Sequence, residues 1–452
     1  MKPLLLIDFG STYTKLTSAD AETGRLYASA QSFTTVAEDI SIGLENALSE
    51  LKAKSGITEF HDTLACSSAA GGLRMIACGL VPSLTAEAAK RAALGAGAKV
   101  IKTFAYEMTE DDKEEIERLK PDIALLCGGM DGGNTACAVH NAGILASVQT
   151  SFPVVVACNR SAQAKCVKIL QEQGKETVSC ENVMPAFGKL NILPCQKVIR
   201  DLFLRRIVSA KGLSKAQSLL SEIVMPTPAA VMEALTLLSS FTGELMAVDL
   251  GGATTDVYSI TDGLPTKAGT VLRGLPEPYA KRTVEGDIGM RYSAQGVMEA
   301  AGEEALISAS GATGEEIRAW IEKIKNNPGV LSRSECEESI DFALASSAIE
   351  TGLIRHSGTI EQVFTPMGVA YQQTGKDLTR VNRLILTGGA LVHFKRWEEM
   401  AKRAMASTLC PESLMPRNAE VVLDRHYILS AAGLMAKKYP EAAKTLLGKE
   451  FT

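Results

Sequence analysis

The sequence has no excess of positive charge and no long apolar run. Its 47 lysines and arginines are outnumbered by 52 aspartates and glutamates, which gives a formal net charge of −5. A nucleic-acid surface needs a basic excess or stripe, so we expect no nucleic-acid partner. The first apolar run, residues 4–7, stops at Asp8 and is shorter than the ~7–15 residues of a signal-peptide core. No stretch reaches the ~18 apolar residues of a membrane helix. These absences predict a cytoplasmic protein without a membrane anchor.

Metal-ligand and redox motifs are also missing. The ten cysteines include no CxxC pair, and most lie in apolar runs such as residues 125–127. The five histidines are scattered along the chain. Closely spaced cysteine and histidine pairs are typical of zinc sites and redox dithiols, so neither is expected. Buried, reduced thiols in a cytoplasmic protein are the better interpretation.

The sequence does contain enough apolar material for a large folded protein. Of its 452 residues, 46% are hydrophobic and 22% are charged, close to the values of typical globular domains. At ~150 residues per domain, this length predicts about three domains or two large lobes.

Between about residues 62 and 200, short apolar strands alternate with helical segments. Residues 122–127 and 154–158 are continuous apolar runs, whereas an acidic first turn after Thr109 begins a helix. Continuous apolar strands between helices are typical of a parallel sheet that is covered on both faces. We predict a flavodoxin-like or Rossmann-like insert here, followed by a mainly helical segment to about residue 240.

One pattern occurs twice: an apolar strand, an aspartate, a glycine turn with hydroxyl side chains, and a second strand. The copies are IDFGSTYTK around Asp8 and VDLGGATTD around Asp249. Glycine turns bring backbone N–H groups close to a ligand, and such amide nests suit phosphate oxygens. Ser11, Thr12 and Thr254 add hydroxyl donors, and the aspartates can hold hydrated Mg²⁺ between the turns. Two such turns would clamp the β- and γ-phosphates of a nucleotide; the alternative is a pair of ordinary β-hairpins.

A third glycine turn, LTGGA at 386–390, joins an apolar strand to a C-terminal part that we predict to be helical. Gly388 and Gly389 allow the close approach of a flat base or a ribose, unless this is a simple strand–helix turn. Glu285 and Asp287 are possible cleft residues, as a base or a metal relay, or else part of a polar loop that starts a helix. The loop at 128–134 is a second anion site, a turn, or a loop that contacts a partner.

The order of these motifs resembles the actin, Hsp70 and sugar kinase superfamily of ATPases. The stretches that carry the resemblance are the DFGST turn, PTPAA at 226–230, DLGGATTD, LTGGA, and YILSAAG at 427–433. They resemble the phosphate-1, connect-1, phosphate-2, adenosine and connect-2 motifs. The resemblance implies an α/β fold with two lobes of duplicated ribonuclease-H-like topology and MgATP in the cleft between them. It divides the chain into four parts. Residues 1–61 form the first part of an N-terminal lobe, and residues 62–200 form the inserted α/β domain. Residues 201–243 return to the N-terminal lobe as a helical segment with the connect-1-like helix, and residues 244–452 form a C-terminal lobe with a helical subdomain at about 290–360.

The resemblance also implies roles for individual residues. Asp8 and Asp249 would lie beside the waters of Mg²⁺, with Thr254 and Asp256 near the attacked phosphate; these four form the predicted catalytic group. The nucleotide would be lined by Gly10, Ser11, Thr12 and Tyr13 in one phosphate turn, by Gly251, Gly252, Ala253 and Thr254 in the other, and by Gly388 and Gly389 at the adenosine. Met225 stands where Hsp70-like members carry a glutamate that positions the attacking water, which predicts slow hydrolysis.

Within the superfamily, the chain resembles the MutL-type accessory proteins of glutamate mutase, which are unrelated to the mismatch-repair protein of that name. Stretches such as ACSSAAGGLRM, DIALLCGGMDGGN and RTVEGDIGMR carry this resemblance. It implies an ATPase whose protein partner is an adenosylcobalamin-dependent mutase, and which acts as a reactivase or chaperone that lets damaged cobalamin leave. The insert lacks an Asp-x-His-x-x-Gly sequence, so direct cobalamin ligation by that route is not expected.

Two other functions stay open at this point. A small-molecule kinase of the sugar or carboxylate type would use the same cleft, with Asp256 or Asp287 as the base, and would transfer phosphate to its substrate. An actin-like filament protein ranks last, because only 5% of the residues are aromatic and no exposed apolar insertion loop is evident.

Overall fold

The computed structural model describes residues 1–10, 13–33, 40–68, 74–209, 222–366, 368–392 and 394–452. The chain divides into two compact units. The first unit consists of Met1–Ala21 and Leu26–Ala230, and the second consists of Glu22–Arg25 and Val231–Thr452.

The first unit contains two sheets and the helices that cover them. The strands described there are β1 Pro3–Phe9, β2 Tyr13–Asp20, β3 Leu26–Phe33, β4 Asp62–Ser67, β5 Arg74–Gly79, β6 Lys99–Ala105, β7 Ile123–Leu126, β8 Val154–Val156, β9 Thr177–Ser179 and β10 Glu222–Pro226. The helices are α1 Ile40–Ser55, α2 Glu87–Gly95, α3 Glu110–Leu119, α4 Ala136–Ser147, α5 Arg160–Glu172 and α6 Leu193–Ser209, and a π-helical turn covers Pro82–Ala86.

Helix α7, Thr227–Thr242, includes the boundary between the units, and the remaining elements belong to the second unit. The strands described there are β11 Leu245–Leu250, β12 Thr255–Ile260, β13 Thr270–Arg273, β14 Ala280–Glu285, β15 Thr359–Thr365, β16 Gly368–Thr374, β17 Arg383–Thr387 and β18 Glu420–Leu423. The helices are α8 Ala294–Ala301, α9 Glu303–Ser310, α10 Gly314–Asn326, α11 Glu335–His356, α12 Gly389–Val392, α13 Trp397–Met405, α14 Ile428–Ala436 and α15 Pro440–Phe451.

Each unit is built on a five-stranded mixed sheet with the same strand order. In the first unit the order is β10-β4-β1-β2-β3, with β1, β2 and β3 antiparallel and with β4 and β10 added in parallel. In the second unit the order is β14-β12-β11-β17-β18, with the same strand directions. When the strands are numbered in chain order within each sheet alone, both sheets have the order 3-2-1-4-5, which is the ribonuclease-H-like topology. The predicted fold class, an α/β protein with a duplicated ribonuclease-H-like sheet, is confirmed.

The position of β1 explains its sequence. This strand lies between β4 and β2, and nearly all of its residues are buried, so its apolar residues are continuous rather than alternating. On α1, the apolar residues recur at helical spacing and pack against this sheet. The shared cluster includes Leu5, Ile7, Phe9, Leu44, Ala47 and Leu51.

The second sheet of the first unit is entirely parallel and has the order β6-β5-β7-β8-β9. By position along the chain this order is 2-1-3-4-5, the flavodoxin-like arrangement. The predicted α/β insert is therefore of the flavodoxin-like type. As predicted, α3 begins after Thr109, whose hydroxyl accepts a hydrogen bond from the N–H of Asp112 while the Asp112 carboxylate accepts one from the N–H of Thr109.

The second unit surrounds its five-stranded sheet with helices. The 22-residue α11 is buried along most of its length and shares a core with α10, α13 and strands β11 and β17. A small separate sheet has the order β13-β16-β15. None of the described helices is both long and apolar enough to cross a membrane. All ten cysteines are free thiols, and seven of them are buried, as the sequence predicts.

Several short strands correct the interpretation of the sequence. The predicted helical segment that ends near residue 240 contains β10, and β18 lies in a C-terminal part that the sequence predicts to be helical after residue 390. Glu285 ends strand β14 and does not lie in a loop that starts a helix. Apolar runs of four or five residues do not distinguish a strand from a helix, so neighbouring strands decide their conformation.

Candidate functional site

The first glycine turn follows the strand that carries Asp8. The pairing of β1 with β2 leaves residues 10–13 for the turn. The backbone N–H of Gly10 donates to the carbonyl oxygen of Tyr13 at 3.0 Å. A Cβ atom on Gly10 would lie 2.5 Å from that oxygen, so the turn closes this tightly only with glycine. Two predicted residues of this turn lie outside the described part of the chain: Ser11 and Thr12.

Asp8 itself is buried and is held by a hydroxyl group from another element. Thr227, the first residue of α7, donates from Oγ1 to Asp8 Oδ1 at 2.6 Å. Cys66 is the neighbour of Asp8 on β4, and its thiol interacts with the Asp8 carboxylate and the Thr227 hydroxyl. Burial and then the charge of Asp8 raise the pKa of the Cys66 thiol well above its usual value, so this cysteine is a protonated neighbour and not a nucleophile.

The next strand brings an apolar side chain to this group. Met225 on β10 is fully buried and is in register with Cys66. The structure therefore gives no carboxylate at the position that holds a glutamate in Hsp70-like members. The expectation of slow hydrolysis agrees with this placement and stays a prediction.

The second glycine turn, after Asp249, repeats the first. The pairing of β11 with β12 leaves residues 251–254 for the turn. The N–H of Gly251 donates to the carbonyl oxygen of Thr254 at 2.9 Å, and a Cβ atom on Gly251 would also lie 2.9 Å from that oxygen. In both turns the glycine follows the aspartate by two residues and bonds to the third residue after it. The duplication thus extends to the hydrogen bonds of the turns.

The carbonyl groups of the second turn are held from one side. Met290 N–H donates to Gly251 O at 3.0 Å, the N–H groups of residues 291 and 292 donate to Gly252 O, and Ser293 Oγ donates to Ala253 O at 2.7 Å. Among the described residues, none accepts a hydrogen bond from the N–H of Gly252 or Ala253. This turn is therefore fixed by its acceptors while two of its donors stay available, as an amide nest for an anion requires.

The third glycine turn lies next to Asp249. Asp249 on β11 is in register with residue 387 on β17. Gly388 has a φ of +107°, and a Cβ atom there would lie 2.4 Å from Leu250 O and 2.8 Å from Asp249 Oδ1. Gly389 is more open, since its nearest neighbour would be the Tyr427 hydroxyl at 3.8 Å. The second unit thus brings together the predicted phosphate turn, Asp249 and the predicted adenosine turn.

Behind this turn lies an acid that the sequence does not single out. Thr387 donates from Oγ1 to Asp424 Oδ2 at 3.1 Å, and the N–H groups of Ile428 and Leu429 donate to the same carboxylate at 2.8 and 3.3 Å. Burial raises the pKa of Asp424 to about 6, against the lowering effect of these hydrogen bonds. Asp424 therefore fixes the first turn of α14, the predicted connect-2 helix. Its position four residues before a helix is the only local signal that could have indicated it.

Asp256 has a partner that changes the interpretation of its role. Nε and Nη2 of Arg282 lie 2.7 and 2.5 Å from Asp256 Oδ1, and both side chains are largely buried. Because Arg282 engages the Asp256 carboxylate, this ion pair links the neighbouring strands β12 and β14. The kinase alternative is therefore weakened at one of its two candidate bases.

Glu285 and Asp287, the predicted cleft residues, both lie beside an arginine. Arg355 Nη1 is 2.7 Å from Glu285 Oε2 and 3.4 Å from Asp287 Oδ1. Glu285 is buried at the end of β14, whereas Asp287 is exposed. Neither Arg282 nor Arg355 is indicated by a local sequence motif, because each partner lies far along the chain.

A family model and a curated relative both identify the family of this chain. The family model described as MutL protein matches residues 4–451. The Protein MutL of Clostridium tetanomorphum is 45% identical over 457 aligned positions, which cover 99% of each chain. Among solved structures, nucleotide-free acetone carboxylase has a TM-score of 0.41 at 12% identity and covers 96% of this chain and 70% of its own. The nucleotide-free diol dehydratase-reactivating factor has a TM-score of 0.40 at 13% identity and covers 98% of this chain and 100% of its own. With its match over nearly the whole length, the chain belongs to the MutL protein family.

Proposed function

We propose that this chain is an ATP-binding, slowly ATP-hydrolysing accessory protein that reactivates an adenosylcobalamin-dependent mutase of the glutamate mutase type. The nucleotide part is carried by one observation, the aspartate–glycine turn that recurs with the same hydrogen bond in both units. Membership of the MutL family supports a protein partner. We place this function in the cytoplasm, because ten free thiols suit a reducing compartment.

The described residues fit a nucleotide with Mg²⁺. This ion prefers oxygen ligands and usually keeps several waters beside one or two carboxylates and phosphate oxygens. Asp8 and Asp249 provide such carboxylates, and within the described ranges no group of three or more His, Cys, Asp or Glu side chains is placed to form a metal cage. Either aspartate would therefore hold the ion through water. When bound, Mg²⁺ would neutralise charge on the phosphates.

The chain's own residues would then orient the nucleotide. The Thr227 hydroxyl fixes the Asp8 carboxylate in one orientation. The N–H groups of Gly252 and Ala253 are donors for a phosphate, and the absence of a side chain at Gly388 lets this turn lie close against Asp249. With Met225 at the expected glutamate position, the attacking water would be poorly oriented, so turnover would be slow.

The coupling to the mutase follows from linkage. A nucleotide changes the affinity for a partner only as far as its own affinity differs between the free and the partner-bound protein. The proposal therefore requires that the ATP-bound and ADP-bound forms bind the mutase with different affinities. Damaged cobalamin would leave the mutase during this cycle.

Nucleotide binding is tested first, by isothermal titration with MgADP and with a non-hydrolysable MgATP analogue. Gly10→Ala places a Cβ atom 2.5 Å from Tyr13 O, whereas Gly143→Ala in α4 meets nothing within 4 Å and is the matched control. We expect Gly10→Ala to weaken binding by ~10-fold or more, because the turn must open to accept the methyl group. The control variant should bind as the wild type does.

Reactivation is tested with purified glutamate mutase that has lost activity during turnover. Recovery of mutase activity that needs this chain, MgATP and fresh adenosylcobalamin would support the proposal. If the wild-type chain binds no nucleotide, the whole proposal is wrong. Nucleotide binding without recovery of the mutase would remove the reactivase part, and phosphate transfer to a sugar or carboxylate would favour the kinase.

A further inference from the structure

Three large apolar side chains are exposed where the strands of the flavodoxin-like sheet reach their carboxyl-terminal ends. Tyr106 is 62% exposed, Met130 is 37% exposed and Phe187 is 73% exposed. They follow the carboxyl ends of β6, β7 and β9, and these strands are parallel members of one sheet. In a parallel sheet all strands have their carboxyl ends on the same side, and folds of this type bind their ligands just outside those ends.

Hydrogen bonds join the three loops that carry these residues. The N–H of Asp131, next to Met130, donates to Pro185 O at 3.1 Å and so ties this loop to the turn with Phe187. The carbonyl oxygen of Tyr106 accepts from Cys137 Sγ at 3.3 Å, at the start of the helix that follows the Met130 loop. The three loops are therefore tied to one another, and we call the surface that carries their exposed side chains, Tyr106, Met130 and Phe187, the carboxyl-edge patch.

Buried asparagines hold this patch in place. Asn141 donates to Tyr106 O at 2.9 Å, Asn159 donates to the carbonyl oxygens of residues 133 and 134, and Asn182 donates to the carbonyl oxygen of residue 129 and to Asp131. All three asparagines are at least 95% buried. Buried polar side chains fix loops because an unmade hydrogen bond there is costly. Here, three buried asparagines fix loops whose exposed side chains include large apolar ones.

The backbone also presents two of the rings outward. Tyr106 has a left-handed φ of +66°, a conformation that costs a residue with a side chain about 1 kcal/mol or more. Phe187 lies in a tight turn closed by a 3.0 Å bond from Lys189 N–H to Ala186 O, with Gly188 at a φ of +70°. Rigid aromatic side chains at fixed positions are the usual anchors of protein interfaces.

The charge around the patch indicates the type of partner. The exposed acidic residues within about six positions of the three side chains along the chain include Glu107, Glu110, Asp111, Asp131 and Glu181, whereas the exposed basic residues are Lys102 and Lys189 in the same range and Arg160, whose backbone N–H donates to Asp131. Interfaces place opposite charges against each other at the rim. The complementary surface is thus a folded protein with an apolar centre and a mainly basic rim.

We propose that the carboxyl-edge patch is the surface through which this chain docks on its mutase. The proposal rests on the proposed function for the identity of the partner, and on Tyr106, Met130 and Phe187 for the location. It also resolves the alternatives for the loop at 128–134, which becomes a loop that contacts a partner and not an anion site.

The test measures the affinity of the full-length chain for purified glutamate mutase, with MgADP and with an MgATP analogue. The variant is Tyr106→Gly combined with Phe187→Ser; glycine suits the left-handed backbone at 106, so the fold is preserved. The matched control combines Leu331→Ser with Leu409→Ser, two exposed leucines of the second unit. We expect the patch variant to bind the mutase ~30-fold or more weakly and the control to bind like the wild type.

Both variants must keep the MgADP affinity of the wild type, which shows that the nucleotide turns are intact. If the wild-type chain does not bind the mutase, the proposed function is wrong. If it binds and the patch variant binds equally well, the location is wrong. Sedimentation of the chain alone gives a further outcome: self-association that the patch variant loses, with mutase binding retained, would make a second copy the occupant and overturn the proposal.

Charge reversal gives an independent readout. Glu107→Lys reverses the charge of an acid at the rim, and Glu361→Lys does the same to an acid of the second unit that is also exposed. We expect only Glu107→Lys to slow association several-fold at low salt, with the difference fading at high salt as the charges are screened. Equal effects of the two reversals would contradict the proposed position of the rim.

Discussion

The hydrogen bond from Thr227 to Asp8 offers a sharp test of the candidate site. Thr227→Val keeps the shape of the side chain and removes the hydroxyl that lies 2.6 Å from Asp8 Oδ1. Asp8 is only 7% exposed, so water would replace the lost donor poorly. A hydrogen bond to a charged group contributes ~1.5–3 kcal/mol. We therefore expect Thr227→Val to destabilise the first unit by ~2 kcal/mol, which corresponds to a melting temperature lower by ~4–8 °C.

The same variant should also affect nucleotide binding. Without the hydroxyl, the Asp8 carboxylate is no longer held in one orientation, and part of the binding energy must then restore it. A cost of ~1.4 kcal/mol would weaken MgADP binding ~10-fold. Thr227→Ser keeps the donor and should restore both the melting temperature and the affinity to near the wild-type values.

Two measurements decide the matter: thermal unfolding of the free chain, and titration with MgADP. A loss of stability without loss of affinity would mean that Thr227 supports the fold only. A valine variant that matches the wild type in both measurements would refute the reasoning, as would a serine variant that fails like valine. Cys66→Ser, which keeps a donor beside Asp8, is the control for general disturbance of this buried group.

Three further changes have expected results of their own. Gly388→Ala would place a Cβ atom 2.4 Å from Leu250 O at a φ of +107°; MgADP affinity measured by titration should fall ~10-fold, and an unchanged affinity would remove this turn from the site. Arg282→Met leaves Asp256 buried without its partner, so the free energy of unfolding should fall by ~3–5 kcal/mol, which thermal melting would detect. Adding Asp256→Asn should recover part of this loss. No recovery would show that the loss of the ion pair is not the cause. Burial raises the pKa of Asp424 to about 6, whereas an unfolded aspartate ionises near ~3.9. The folded state then binds more protons in this interval, so the contribution of Asp424 to stability is full below pH ~4 and is lost as the pH rises through about 6. Melting across this range should show that decline in the wild type and not in Asp424→Asn.

The glycine turns could be predicted from sequence because their geometry is local. A glycine two residues after an aspartate, between two apolar strands, closes on the third residue after it, and this occurs at Gly10 and again at Gly251. The flavodoxin-like sheet was predictable for a similar reason, since buried parallel strands are continuous apolar runs. The repeat of the turn motif supported the prediction of the glycine turns. The regular alternation of strands with helices supported the prediction of the parallel sheet.

Partners of the acidic side chains could not be predicted, because they come from distant segments. Thr227 is 219 residues from Asp8 along the chain, and Arg355 is 70 residues from Glu285. No local pattern indicates which arginine approaches which carboxylate. The short strands β10 and β18 were missed for a related reason, since only their pairing with β4 and β17 selects an extended conformation.

The two duplicated sheets differ in what they place beside their aspartates, and this difference bears on the chemistry. In the first unit the neighbours of Asp8 across the parallel strands are Cys66 and Met225, whereas in the second unit the corresponding neighbours of Asp249 are Thr387 and then Asp424.

Asp424 is engaged by two backbone N–H groups and one hydroxyl, Asp256 by Arg282, and Glu285 by Arg355. These carboxylates are therefore engaged by other groups of the protein, which leaves them less accessible to the proton of a substrate. A kinase needs a carboxylate that can accept the proton of its substrate, and here only the exposed Asp287, 3.4 Å from Arg355, is left among the predicted candidates. On this ground we favour the proposed accessory ATPase over the kinase alternative.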